Sequence, residues 1–240
     1  MTQSTAWPKQ RPELTRRQKE ILEDWYGYWL TLFPNRFSGI ARFNHSYAIR
    51  TATLRGRTLE IGAGEGEHMR YESLDTQEYF ALELREALAI RLHTRFPQAK
   101  VIVGDCEDRI DVPEQFFDRI IAIHVLEHLT NLPKALDELV RVLAPGGRLS
   151  VVIPCEGGLL YSLGRKLSSK RIFEKRYGVD YDWMISYEHV NRADEIMDEI
   201  LDRFVIEHST YYPFKVPSVN ANTVIGLTLR PAPRRGAPLS

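Results

Sequence analysis

Apolar positions recur along this chain with two periods, and the change between them divides it. From residue 15 to 33 the period is helical. Thr15-Arg16-Arg17-Gln18 has the form of a capping box, and Ile21, Trp25, Tyr28 and Leu32 follow at i, i+4, i+7 and i+11, flanked by Leu22, Tyr26, Trp29 and Phe33. This predicts an amphipathic helix stopped by Pro34, then a second mixed stretch through Phe37, Ile40, Phe43, Tyr47 and Ile49. From Arg57 short apolar runs alternate with helical patterns: TLEI (58–61), YFALEL (79–84), KVIVGD (100–105), RIIAIH (119–124) and RLSVVI (148–153). That alternation predicts parallel strands of an α/β sheet. Between the last two runs Asn131 is placed to cap a helix with Pro133 in its first turn; Leu136, Leu139, Val140 and Leu143 carry its apolar face, and Pro145-Gly146-Gly147 ends it. FVIEHST (204–210) and NTVIGLTL (222–229) have no helix between them and are expected to pair antiparallel.

Composition removes several alternatives. With 43% hydrophobic and 27% charged residues among 240, the chain is neither disordered nor a small disulfide scaffold. Lys+Arg 32 balance Asp+Glu 32, so no global field draws it to nucleic acid, and membrane contact is expected to be peripheral at most. The polar, basic start lacks the apolar core of a signal peptide, which predicts a cytoplasmic protein with Cys106 and Cys155 as free thiols. The expected organisation is a helical lid at 1–55 with a frayed start, one domain at 56–230 with an inserted cap at 155–191, and a disordered tail at 231–240.

The chemistry concentrates at strand ends. Leu59-Glu60-Ile61-Gly62-Ala63-Gly64-Glu65-Gly66 reads as a strand running into a glycine turn, where the backbone can approach a ligand closely. Alone it is a weak signal, with a plain tight turn as its other reading. Seventeen residues past Gly66 comes Glu83, which taken alone reads as a solvated helix-start carboxylate but at a strand tip can accept ribose hydroxyls, and Gly104-Asp105-Cys106 then offers a carboxylate and a backbone N–H to an adenine. A nicotinamide fingerprint would need glycine at 67, where Glu67 stands.

With FFDRIIAIHVLEHL and RVLAPGGRLSVVIP completing the set, residues 57–153 resemble the class I S-adenosylmethionine-dependent methyltransferases, in the small-molecule, quinone-methyltransferase-like style. The resemblance implies a Rossmann-like seven-stranded α/β sheet of order 3-2-1-4-5-7-6, last strand antiparallel, with helices on both faces. It further implies S-adenosyl-L-methionine as cofactor, held by Glu60, Gly62, Ala63, Gly64, Gly66, Glu83, Leu84, Asp105, Cys106 and His124. The order would put Cys106 and Cys155 four strand spacings of ~4.8 Å apart, too far for a disulfide.

His124 follows the fourth strand, where methyl donor and acceptor would meet, and suits a general base; otherwise it would hydrogen-bond the cofactor's carboxylate or a loop. His189 is the alternative base, or a loop brace, and His128 is expected to be structural. The string His124-Val125-Leu126-Glu127-His128 also matches the HxxEH signature of zinc peptidases, an alternative that needs both histidines on a long helix. A cofactor-binding protein without catalysis is the other alternative. In the insertion, six basic residues between Arg165 and Arg176 face Glu174 alone. Arg171, Arg176 and Tyr177 are candidate contacts for a lipid- or saccharide-linked, phosphate-bearing acceptor, against the reading of a solvated face. The aromatic helix at 21–33 and His45-Ser46-Tyr47 are expected to form a lid over the cofactor, or to be plain core.

Overall fold

The computed structural model describes residues 6–52 and 55–233. Seven strands, β1 (Arg57–Ile61), β2 (Glu78–Glu83), β3 (Lys100–Val103), β4 (Phe117–Ile123), β5 (Leu143–Pro154), β6 (Phe204–Tyr212) and β7 (Val224–Pro231), form one sheet of order β3-β2-β1-β4-β5-β7-β6. This is the expected order. β7 is antiparallel to both β5 and β6. β6 therefore runs with the first five strands, and the expected closing pair contributes only one reversed strand.

The central strands are buried on both faces because helices cover each. Leu59, Ile61, Ile120, Ala122, Leu149 and Val151 point to the side covered by α4 (Leu132–Val142) and α8 (Ala193–Arg203). Tyr79, Ala81 and Ile121 point to the other, where α3 (Glu86–Arg95) contributes Leu92. α4 has its predicted cap and apolar face, the Asn131 side chain capping the Lys134 amide, proline in the first turn, and Leu132, Ala135, Leu136, Leu139 and Val142 wholly buried, but it ends at Val142: Leu143 and the Pro145-Gly146-Gly147 expected to stop it already belong to β5.

The N-terminal region differs from its reading in two respects. Helix α1 (Arg16–Arg36) has its capping box, the Thr15 side chain accepting from the Gln18 amide and Gln18 from that of Thr15, but it runs two residues past Pro34. A proline this near a helix end removes only one hydrogen bond of the last turns. The start, where it is described, is strapped down rather than frayed. The Trp7 indole donates to Glu199, the Lys9 ammonium pairs with Glu195 at 2.8 Å, and the Lys9 amide bonds the Thr130 carbonyl. The rest of that expectation, and of the disordered tail, lies outside the described residues; Pro231 itself ends β7 and Ala232 bonds the Arg203 carbonyl.

The segments expected to form lid and inserted cap pack against each other. The insertion folds as α5 (Leu159–Leu167), α6 (Ser169–Tyr177) and α7 (Asp182–Glu188). Ile21 and Trp25 of α1 share an apolar cluster with Phe173, Tyr181 and Met184, and Trp25 meets Phe173 edge-on at 5.1 Å. α2 (Ser38–Ala48) packs instead on the sheet: Tyr47 lies over Gly226 and its hydroxyl bonds Thr228 and His208. Tyr47 is core, so the lid expected of residues 45–47 is not formed by this side chain. No helix among the described residues is long and apolar enough to cross a membrane.

Candidate functional site

The expected cofactor residues other than Glu60 lie where β1, β2, β3 and β4 end, the edge at which open α/β sheets bind ligands. Gly62 and Gly64 have φ of +63° and +57°, the left-handed region that side chains resist. A Cβ on Gly62 would stand 2.6 Å from Val125, so the loop after β1 lies directly against the one after β4. At Gly64 nothing comes within 3.7 Å of that position, leaving a bare backbone cradle beneath the Tyr26 hydroxyl of α1. Tyr26 is itself covered by the Arg85 guanidinium at 4.1 Å, and burial raises its phenol above the ordinary range.

Glu83 is buried and already engaged: one oxygen accepts the Gly64 amide at 2.9 Å, the other the Arg85 amide at 3.0 Å. Each oxygen keeps a second lone pair for a hydroxyl. Leu84 beside it is 63% exposed, an uncovered apolar side chain suited to a base. Asp105 accepts the Glu107 amide, and burial, with Asp105 and Glu107 nearby, pushes the Cys106 thiol up to about 12, so Cys106 is a neutral lining group. Glu60 does not face the loop. It lies within the sheet layer, accepting from the Tyr79 hydroxyl at 2.7 Å, and burial pushes its carboxyl up to about 7. Its role is therefore beneath the cradle and not in it.

His124 stands in the left-handed region, φ +53°, a conformation uncommon for a non-glycine residue and found disproportionately at functional sites. Its Nδ1 is 3.0 Å from Glu127 Oε1 and its Nε2 2.9 Å from the Asn44 amide nitrogen. Glu127 is 1% exposed; burial opposes its ionisation, but the His124 hydrogen bond and the neighbouring His124, His128 and His189 hold its carboxyl down at about 2. The ionised carboxylate fixes the proton on Nδ1 and leaves Nε2 as the acceptor of the Asn44 amide. Asn44 Oδ1 and His45 Nδ1 are buried without partners among the described residues. The cradle and these orphaned groups fit a ligand bearing its own hydrogen-bonding groups, as the methionine end of the expected cofactor does. Asn44 escaped the sequence reading because a lone amide in a mixed stretch gives no signal; Glu127 was visible only within the HxxEH string.

That string does not form a peptidase centre. Leu126–His128 is a single 3₁₀ turn, and His124 precedes it at a strand end instead of sharing a long helix with His128.

His189 neighbours Glu127, as His124 does, but has hydrogen-bond and ring partners of its own. Its Nδ1 bonds Glu156 at 2.9 Å, and its ring meets that of His128 at 5.0 Å. Half of the basic run is paired with carboxylates that lie outside it. Arg165 pairs with Glu156, Lys170 with Asp180 and Asp182, and Arg176 with Asp24 of α1 at 2.9 Å. Tyr177 also donates to Asp24, so Arg176 and Tyr177 clasp α1 to α6 and do not present a binding wall. Arg171, Lys166 and Lys175 remain exposed.

Residues 59–151 match a family model described as a methyltransferase domain. The ubiquinone/menaquinone biosynthesis C-methyltransferase UbiE of Bordetella parapertussis is 28% identical over 123 residues, 48% of this chain and 48% of that protein, so the chain spans about half the length of this curated relative. Among solved structures, a protein of Pyrococcus horikoshii superposes with a TM-score of 0.64 at 15% identity, covering 86% of this chain and 99% of that one. The N-methyltransferase NodS of Bradyrhizobium japonicum, crystallised with S-adenosyl-L-homocysteine, superposes at 0.56 with 15% identity over 81% of this chain and 87% of its own. These likenesses in structure show the fold, and the family match places a methyltransferase domain at residues 59–151 of it.

Proposed function

We propose that the chain transfers a methyl group from S-adenosylmethionine to a proton-bearing nucleophile on a small molecule, with His124 as proton acceptor. The observation that carries this is the Glu127–His124–Asn44 chain of contacts at the end of β4, one residue from Val125, which abuts Gly62. When bound, the cofactor supplies a methyl carbon already activated by a sulfonium. The protein has then to align the nucleophile, exclude water and take a proton. The Gly62–Gly66 backbone would cradle the methionine end, Glu83 the ribose, and Leu84, Asp105 and Cys106 the base. Glu127 holds His124 with Nε2 unprotonated, and the acceptor's X–H would replace the Asn44 amide there. Tyr26 and α1 would cover the cofactor and keep out water.

A phosphate-bearing, lipid- or saccharide-linked acceptor is the finer reading. It draws on exposed Lys166, Arg171 and Lys175, a smaller set than the sequence offered. The test is calorimetric titration with S-adenosylmethionine and S-adenosylhomocysteine, then incubation of methyl-labelled cofactor with a small-molecule extract. We expect binding of both and label in an extract component, with His124→Ala retaining cofactor binding and losing turnover by about 10²-fold or more. Absence of cofactor binding would overturn the proposal, as would full turnover in the His124 variant.

A further inference from the structure

We infer that Glu127, His128 and His189 form a binding site for one divalent first-row transition-metal ion. One ligand atom from each lies within 4.8 Å of the others, at the junction of the loop after β4 and the end of the inserted cap. A second observation points the same way. Glu127 is 1% exposed, and its Oε2 has no hydrogen-bond partner among the described residues while Oε1 receives His124. A buried carboxylate oxygen left empty costs stability unless something positive takes it.

The two imidazoles are prepared for the same occupant. His128 Nδ1 is 2.8 Å from the Glu188 carbonyl, which can only accept, so the proton is on Nδ1 and Nε2 carries a lone pair. His189 Nδ1 faces Glu156 in the same manner, and Arg165 holds that carboxylate from the far side at 2.6 Å. A carboxylate or carbonyl behind each ligating histidine is the arrangement that fixes tautomer and orientation at metal sites. With bonds of about 2.0–2.2 Å, small side-chain rotations bring such donors into one coordination sphere.

The donor set defines the ion. Two neutral imidazoles and one carboxylate suit zinc, iron(II), cobalt(II) or manganese(II), whereas calcium and magnesium prefer oxygen alone. Three protein ligands leave positions open, and Glu127 bridges this site to His124. Resting on the methyl-transfer reading, the ion would take the acceptor's oxygen. The O–H proton would pass to His124 Nε2, the O–CH₃ bond would form as S–CH₃ breaks, and the electron pair would leave on sulfur as S-adenosylhomocysteine.

Cobalt(II) is the probe, through its visible absorption, with stoichiometry by equilibrium dialysis on the full chain. We expect one equivalent, affinity falling at least about tenfold in Glu127→Gln and in His189→Ala, and a comparable loss in Glu156→Gln, which touches no metal. S-adenosylhomocysteine titration of each variant reports folding and separates the two proposals: binding of cobalt without S-adenosylhomocysteine keeps this site and removes methyl transfer, and the reverse removes this site. Cobalt bound with equal affinity by the folded His189 and Glu127 variants overturns the inference.

Discussion

The Gly64 amide donates to the Glu83 carboxylate at 2.9 Å, so the tip of β2 sets the conformation of the loop after β1. The two halves of the cofactor cradle are therefore one unit, and Glu83 acts on it twice: as a prospective ribose partner and as the anchor of the glycine turn. Glu83→Ala is expected to weaken S-adenosylhomocysteine binding by roughly 1.5–3 kcal/mol, the usual range for a hydrogen bond to a charged group. Calorimetry measures this directly, and unchanged affinity would place the ribose elsewhere.

Beneath the cradle, Arg119 is wholly buried and pairs with Glu72 at 2.8 Å, while also donating to the Ala48 carbonyl and Thr51. Replacing Glu72 by Gln leaves an uncompensated buried cation, for which a loss of about 3–5 kcal/mol is expected in denaturant unfolding.

The same carboxylates give opposite pH dependences. Burial works against ionisation of Glu72, but His68 and Arg119 hold its carboxyl down at about 2 from an ordinary 4.5. Its contribution is full above 4.5 and is lost as pH falls toward 2. Glu60 is pushed up to about 7, so its contribution is full below 4.5 and is lost as pH rises through 7. Denaturation curves across pH should show both slopes, with Glu60→Gln flattening only the fall in stability between pH 4.5 and 7. A wild-type slope in that window for Glu60→Gln would contradict this assignment.

The basic cap makes a different demand. Arg176→Ser is expected to loosen α1 against α6, seen as faster hydrogen exchange over residues 16–30, because its guanidinium is spent on Asp24. Arg171→Ser should leave exchange unchanged and raise KM for an anionic acceptor. Slowed or unaltered exchange in the Arg176 variant would show that the clasp contributes nothing to the cap.

In the core, Leu136→Ala should cost about 2–5 kcal/mol, since the side chain is wholly buried between α4 and the sheet. Equilibrium unfolding reads it.

Much of this was legible in the sequence because it is local or periodic. Strand runs buried on both faces, the Asn131 cap and the Thr15–Gln18 box are each specified within a few residues, and the glycine turn announces itself. The charge balance of the cap was not legible. Arg176 and Asp24 stand 152 positions apart, so a tally over twelve residues found cations without their anions. Glu60 sits inside a motif whose spacing suggested ligand contact; only the pleat of β1, which turns it to Tyr79, shows otherwise. Asn44 and Glu156 became visible once folding brought them to His124 and His189.

Because Trp25 and Phe173 interlock, α1 cannot swing away from the glycine turn while the inserted helices stay behind. Entry for a ligand would be a single concerted lifting of two segments encoded far apart, and a substitution in either should change how fast the other lets go.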